Sequence, residues 1–177
     1  MNEVDNLLIA LKKCMPLLDC TPLHASPPLS PGQEDIINWL YKHLNQQGLM
    51  VYEEWKEYFG WLPELSPLST IILPADPAGY IFSLLEKVDQ SMAAVHASEL
   101  IYTMPWLEHI NFYLKSHEIR VVDILPFENA FILCIQDDDA SMRQLSICLR
   151  AFDMDINTRE PLDQSQTSAM LTSLFTE

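Results

Sequence analysis

Glycine is scarce in this chain: four in 177 residues, at Gly32, Gly48, Gly60 and Gly79. A phosphate-cradling loop needs glycines beside a lysine, and a nucleophile elbow needs Gly-x-Ser-x-Gly; neither pattern occurs. Positive charge is scarce too, with ten Lys and Arg against 25 Asp and Glu and a formal net charge of −15. A surface of that sign repels phosphate backbones and anionic lipid, so neither nucleic acid nor a membrane is expected as a partner. No apolar run approaches the roughly 18 residues that a membrane span needs. The first residues include Glu3 and Asp5, and the apolar run behind them is broken by Lys12 and Lys13, unlike a secretory signal. The cysteines, Cys14, Cys20, Cys134 and Cys148, show no Cys-x-x-Cys spacing. Two of them fall inside predicted core segments, where Cys acts as a small hydrophobe. The expectation is a reduced, cytoplasmic protein.

Apolar residues are plentiful. They make up 49% of the chain, enough to fill the core of one domain spanning residues 1–177. Residues 119–125 and 130–135 are apolar, rich in β-branched side chains, and separated by Pro126-Phe127-Glu128-Asn129. That pattern predicts an antiparallel hairpin. Its second strand is apolar on both faces and so belongs in the middle of a sheet. Met142, Leu145, Cys148, Leu149 and Phe152 then recur at helical spacing.

Upstream, Val4, Leu7, Leu8, Leu11 and Met15 predict a first helix stopped by Pro16, and residues 21–31 read as a proline-stiffened linker. Ser30 as cap, Pro31 in the first turn and Gln33 closing a capping box predict the next helix, which carries Ile36, Ile37, Leu40 and Leu44 and ends at Gly48. Short strands are predicted at 49–52 and 69–73, with helices at 76–88, 92–102 and 106–114. An edge strand at 153–156 and a closing helix around Met170, Leu171, Leu174 and Phe175 complete the pattern. Residues 31–90 and 105–152 share the order helix, strand, strand, helix, which raises a duplication of two α-β-β-α halves. With or without it, the fold class is α+β: one mixed or antiparallel sheet with helices packed on it.

His24, His43, His96, His109 and His117 never form His-x-His or His-Glu-x-x-His. The pairs His96/Glu99 and His109/Tyr113 supply two groups where a metal needs three or four, so no metal or cofactor is expected. The histidines read as exposed or capping. Asp137, Asp138 and Asp139 stand where a strand ends and a helix begins. Carboxylates there hold a divalent cation, cap the helix, or offer an acidic patch to a cationic partner. Glu53, Glu54 and Glu57 interleave with Trp55, Tyr58, Phe59 and Trp61, and Gly60 and Pro63 argue for a loop. Surface Trp and Tyr anchor protein interfaces, and neighbouring carboxylates read Lys or Arg, although aromatic residues also finish cores. The partner-binding candidates are therefore Glu53, Glu54, Trp55, Glu57, Tyr58, Trp61, Asp137, Asp138 and Asp139.

Three functional readings follow. The first is an acidic cytoplasmic protein-binding module that docks or neutralises a basic protein. In size, charge and lack of a catalytic motif the chain resembles the immunity-protein type, which implies an inhibitor or antitoxin role against a basic toxin. The second is a structural subunit or scaffold of a complex. The third is an enzyme whose carboxylates and histidines (Asp137, Asp139, His96, His109, Glu99) converge only in space. With no catalytic motif, the non-enzymatic reading leads.

Overall fold

The hairpin read from the sequence is the middle of the sheet. The computed structural model describes residues 2–53, 62–73, 105–127 and 130–174. Among these, the strands are β1 (Met50–Tyr52), β2 (Ile119–Leu125), β3 (Phe131–Gln136) and β4 (Asp155–Asn157). The helices are α1 (Glu3–Cys14), α2 (Thr21–Ala25), α3 (Gln33–Asn45), α4 (Trp106–Leu114), α5 (Asp139–Arg150) and α6 (Gln164–Leu174). The sheet is antiparallel throughout, in the order β1-β3-β2-β4, with Val121 opposite Cys134 and Asp123 opposite Ile132. The fold is α+β.

Side chains alternate across a strand, and both faces of β3 are covered. Leu133 and Ile135 meet Leu11 of α1, Leu40 of α3 and Leu149 of α5 on one side. Ile132 and Cys134 meet Trp106, Leu107 and Ile110 of α4 and Leu171 of α6 on the other. The sheet is thus the middle of three layers, which is why β3 reads as a continuous apolar run from Phe131 to Ile135.

Local chemistry sets the helix ends. Asn2 and Asp5 form a reciprocal capping box on α1, with the Asp5 N–H donating to Asn2 at 2.8 Å. At the other end Lys12 Nζ donates to the carbonyls of Pro16 (2.9 Å) and Leu18 (2.7 Å), where a cation also suits the helix dipole. Helix α3 closes at Gly48, whose φ is +68°. A Cβ there would sit 2.1 Å from Ser66 Oγ, so both conformation and space require glycine.

Four expectations need correction. Residues 21–31 do not form a linker throughout, because Thr21–Ala25 is a helical turn. Asp19 Oδ1 accepts the Thr21 N–H at 2.9 Å, Pro22 sits in the first turn, and Leu23 is fully buried. Ser30 does not cap α3; Gly32 does, while Ser30 Oγ accepts the Gly32 N–H (3.1 Å) and donates to Asp35 (2.5 Å). The Gln33 amide reaches the Asp153 carbonyl at 2.6 Å instead of closing a capping box. Residues 69–73 pair with no described strand. A 3₁₀ turn at Ser66–Leu68 and bonds from Ser69 Oγ to Ser66 O (2.7 Å) and from Ile71 N to Leu68 O (3.1 Å) satisfy groups a ladder would use.

The second half keeps its α-β-β-α order as α4, β2, β3 and α5; among the described residues of the first half, β1 is the strand in the sheet. The helices predicted at 76–88 and 92–102 lie outside the described residues, as does Phe175. Strand β4 starts two residues later than expected. Its Asp155 carboxylate takes the Ile156 N–H at 2.8 Å, so an acid does occupy this edge. Among the described residues no helix is long and apolar enough to cross a membrane.

Candidate partner-docking surface

The three consecutive aspartates go to three different places. Asp137 is largely buried and pairs with Arg120 Nη2 at 2.7 Å, while Arg120 Nη1 reaches Glu160 at 2.9 Å. Asp138 is the N-cap of α5: its Oδ2 accepts the Ser141 N–H at 2.8 Å, and hydrogen bonding from the Ser141 side chain, then from its backbone, holds the carboxyl below the usual range. Asp139 is exposed and lines a groove of about 270 Å³ shared with Arg143 and Arg150. One acid closes an internal ion pair, one caps, and one faces two arginines. They do not add up to a single acidic patch.

A second ionic cluster was not among the candidates. Asp123 is fully buried in β2, and Arg159 Nε donates to its Oδ1 at 2.5 Å. The same guanidinium reaches Glu108 of α4 through Nη1 at 3.2 Å. Burial pushes both carboxyls above their ordinary values, with Arg159 opposing the shift. Burial alone would lower the Arg159 pKa; Glu108 and Asp123 more than offset it, and the guanidinium stays charged. Asn111 ties this cluster to the sheet edge. Its amide donates to the carbonyls of Val121 and Arg159 at 2.8 Å each, and its Oδ1 accepts the Val121 N–H at 2.7 Å. The signal in the sequence was Asp123, an acid flanked by Val121, Val122, Ile124 and Leu125 in a buried strand.

The expectation of exposed or capping histidines holds for some and fails for others. His24 and His117 are exposed, His96 lies outside the described residues, but His43 and His109 are buried. Both buried rings occupy core-facing helix positions, and burial lowers both pKa values. His109 Nδ1 lies 3.2 Å from Thr167 Oγ1, and His43 packs edge-on against Trp39 at 6.4 Å. All four cysteines are free, and burial drives Cys14 up to about 11 and Cys134 to about 12, which keeps both as inert thiols near neutral pH. Among the described residues no three His, Cys, Asp or Glu converge as a metal site.

The most open chemistry lies at the tip of the hairpin. Tyr52, at the end of β1, is 48% exposed. Its ring lies 5.0 Å from Phe131, which lies 5.7 Å from Tyr41 and 5.2 Å from Phe127, every pair edge-to-face. Between these rings and α3 runs a shallow groove of about 570 Å³ that also takes in Glu34, Ile37 and Asn38. Among the described residues, none that lines it is basic. Glu53 follows Tyr52 directly, and its N–H donates to the Ala130 carbonyl at 2.8 Å. The other aromatic-loop candidates, Glu54, Trp55, Glu57, Tyr58 and Trp61, lie outside the described residues.

Glu53 and Asp137 therefore flank opposite ends of β3, separated by the length of a six-residue strand, roughly 20 Å. The class these features define is an α+β protein with two of its four arginines, Arg120 and Arg159, buried and an aromatic groove lined by Glu34 open to solvent. No protein-family model, curated protein or solved structure matches the chain, and the surface is read from its own chemistry.

Proposed function

We propose that this chain is a protein-binding module of the cytoplasm that captures a basic protein partner through its negative surface. What carries the reading is the fate of the positive charge. The chain has four arginines, and three of them, Arg120, Arg150 and Arg159, are engaged by the chain's own carboxylates. Lys12 is engaged by backbone carbonyls. With ten cations against 25 acids, the chain keeps a formal net charge of −15. The resulting field raises encounter rates with a cationic protein about 10- to 10³-fold over a neutral pair and falls with ionic strength. Aromatic anchors then slow dissociation. The narrowest form of this reading is an immunity-type inhibitor that neutralises a basic toxin.

The test is capture from extracts of the native host by the immobilised chain, with Trp55→Ala and Tyr52→Ala variants as controls. The expected result is one strongly basic protein, retained at low salt, released as salt rises, and lost from the variants. Retention of a neutral or acidic protein with equal efficiency in high salt overturns the reading. A second reading, a structural subunit, draws on Ile9 (44% exposed) and Ile147 (56% exposed), which sit on the mutually packed helices α1 and α5. A concentration-dependent dimer in sedimentation, broken by Ile147→Ser, would favour it.

A further inference from the structure

We infer that the groove between α3 and the hairpin tip is an arginine pocket: it seats a guanidinium of the basic partner against Tyr52 and pairs it with Glu34. The inference rests on the capture reading above and names the chemistry that the captured segment presents. Tyr52 and Glu34 line the same groove, both are solvent-exposed, and among the described residues none that lines the groove carries a positive charge. The four rings of Tyr41, Tyr52, Phe127 and Phe131 meet edge-to-face rather than stacking, and about half of Tyr52 is open to solvent. An electron-rich face beside a carboxylate attracts a cation on both counts.

Charge complementarity selects among occupants. An acidic segment meets Glu34 and is repelled. A purely aliphatic side chain satisfies the rings but leaves the Glu34 carboxylate and the Asn38 amide facing it. A lysine ammonium satisfies the carboxylate as a point charge and loses more hydration to reach a ring. Arginine alone is planar, weakly hydrated, able to lie on a ring and able to fork onto a carboxylate at once. Ile37 and Phe127 in the groove wall also match the arginine stem, whose methylenes bury readily along apolar surface.

The test uses three capped peptides of identical Gly/Ser background that carry arginine, lysine or citrulline at the same positions, titrated calorimetrically against the full chain. The expected order is arginine tightest, then lysine, then citrulline. Tyr52→Ala is expected to weaken the arginine peptide roughly fivefold or more and to narrow its advantage over lysine. Glu34→Gln should weaken both cationic peptides by a similar factor. Tyr52→Phe keeps the ring and should retain binding, which separates loss of the contact from loss of the local fold. If arginine and lysine bind alike, with Tyr52→Ala and Glu34→Gln unchanged, the pocket assignment fails while capture by the acidic surface stands. If neither cationic peptide binds better than citrulline, both fail together.

Discussion

Two regions of this molecule treat charge in opposite ways. Behind the sheet and at its Asp137 end, carboxylates are matched to guanidiniums withdrawn from solvent: Glu108 and Asp123 share Arg159, and the largely buried Asp137 and the exposed Glu160 share Arg120. At the hairpin tip, Glu34 and the exposed Tyr52 ring line a groove with no cation among its described residues. The difference teaches where a scarce positive charge is used. Arginines that would have neutralised the surface hold β2, α4 and the segment after β4 together, and the exterior keeps the negative excess.

Removing a cation from the interior is the sharpest way to break that contrast. Arg159→Met leaves Glu108 and Asp123 buried without their guanidinium, and should cost about 3–5 kcal/mol in denaturant unfolding. A loss under about 1 kcal/mol would mean that the cluster is solvated and not a structural element.

The pH dependence separates the regions next. Burial raises the Glu108 pKa in the folded state, so the folded chain holds that proton to higher pH than the unfolded chain. Its contribution is then present below the ordinary glutamate value, about 4.3, and is lost as pH rises through the raised value. Glu108→Gln does not titrate, so the stability of wild type relative to this variant should fall as pH rises from acid toward neutrality. Asp138 has the opposite sign, because its carboxyl is depressed by Ser141. Its contribution is present above the ordinary aspartate value and is lost as pH falls through the lowered one, so Asp138→Asn should flatten the acid limb. Parallel curves for the Glu108→Gln and Asp138→Asn variants would erase the distinction.

The smallest expected effect on stability comes from the groove. Tyr52→Ala removes a half-exposed ring from a cluster whose other members remain, and should change unfolding by about 1 kcal/mol or less. A cost as large as that of Arg159→Met would make Tyr52 a core residue and not a contact surface.

Much of the fold was legible because single segments carry their own signal. The apolar hairpin, the stripes of α1, α3, α4 and α5, and the acid-guarded edge strand all follow from spacing within about a dozen residues. The short helix at Thr21–Ala25 was hidden by its prolines, although Thr21-Pro22 with Asp19 upstream is itself a helix start. The strand expected at 69–73 failed because β-branched composition says nothing of a partner, and local serine bonds had already taken its polar groups. The site was less legible. Asp137, Asp138 and Asp139 looked equivalent, yet their roles depend on Arg120, seventeen positions upstream, and on which carboxylate meets the Ser141 N–H. The groove joins α3 to the hairpin across more than ninety positions, a juxtaposition that periodicity cannot reveal.

The surface account comes down to whether unneutralised acids draw the partner in. The direct measurement is the association rate of the captured basic protein, followed by stopped flow as ionic strength is raised, with dissociation measured in parallel. The account predicts a steep fall in association while dissociation stays nearly constant. An association rate indifferent to salt would contradict it.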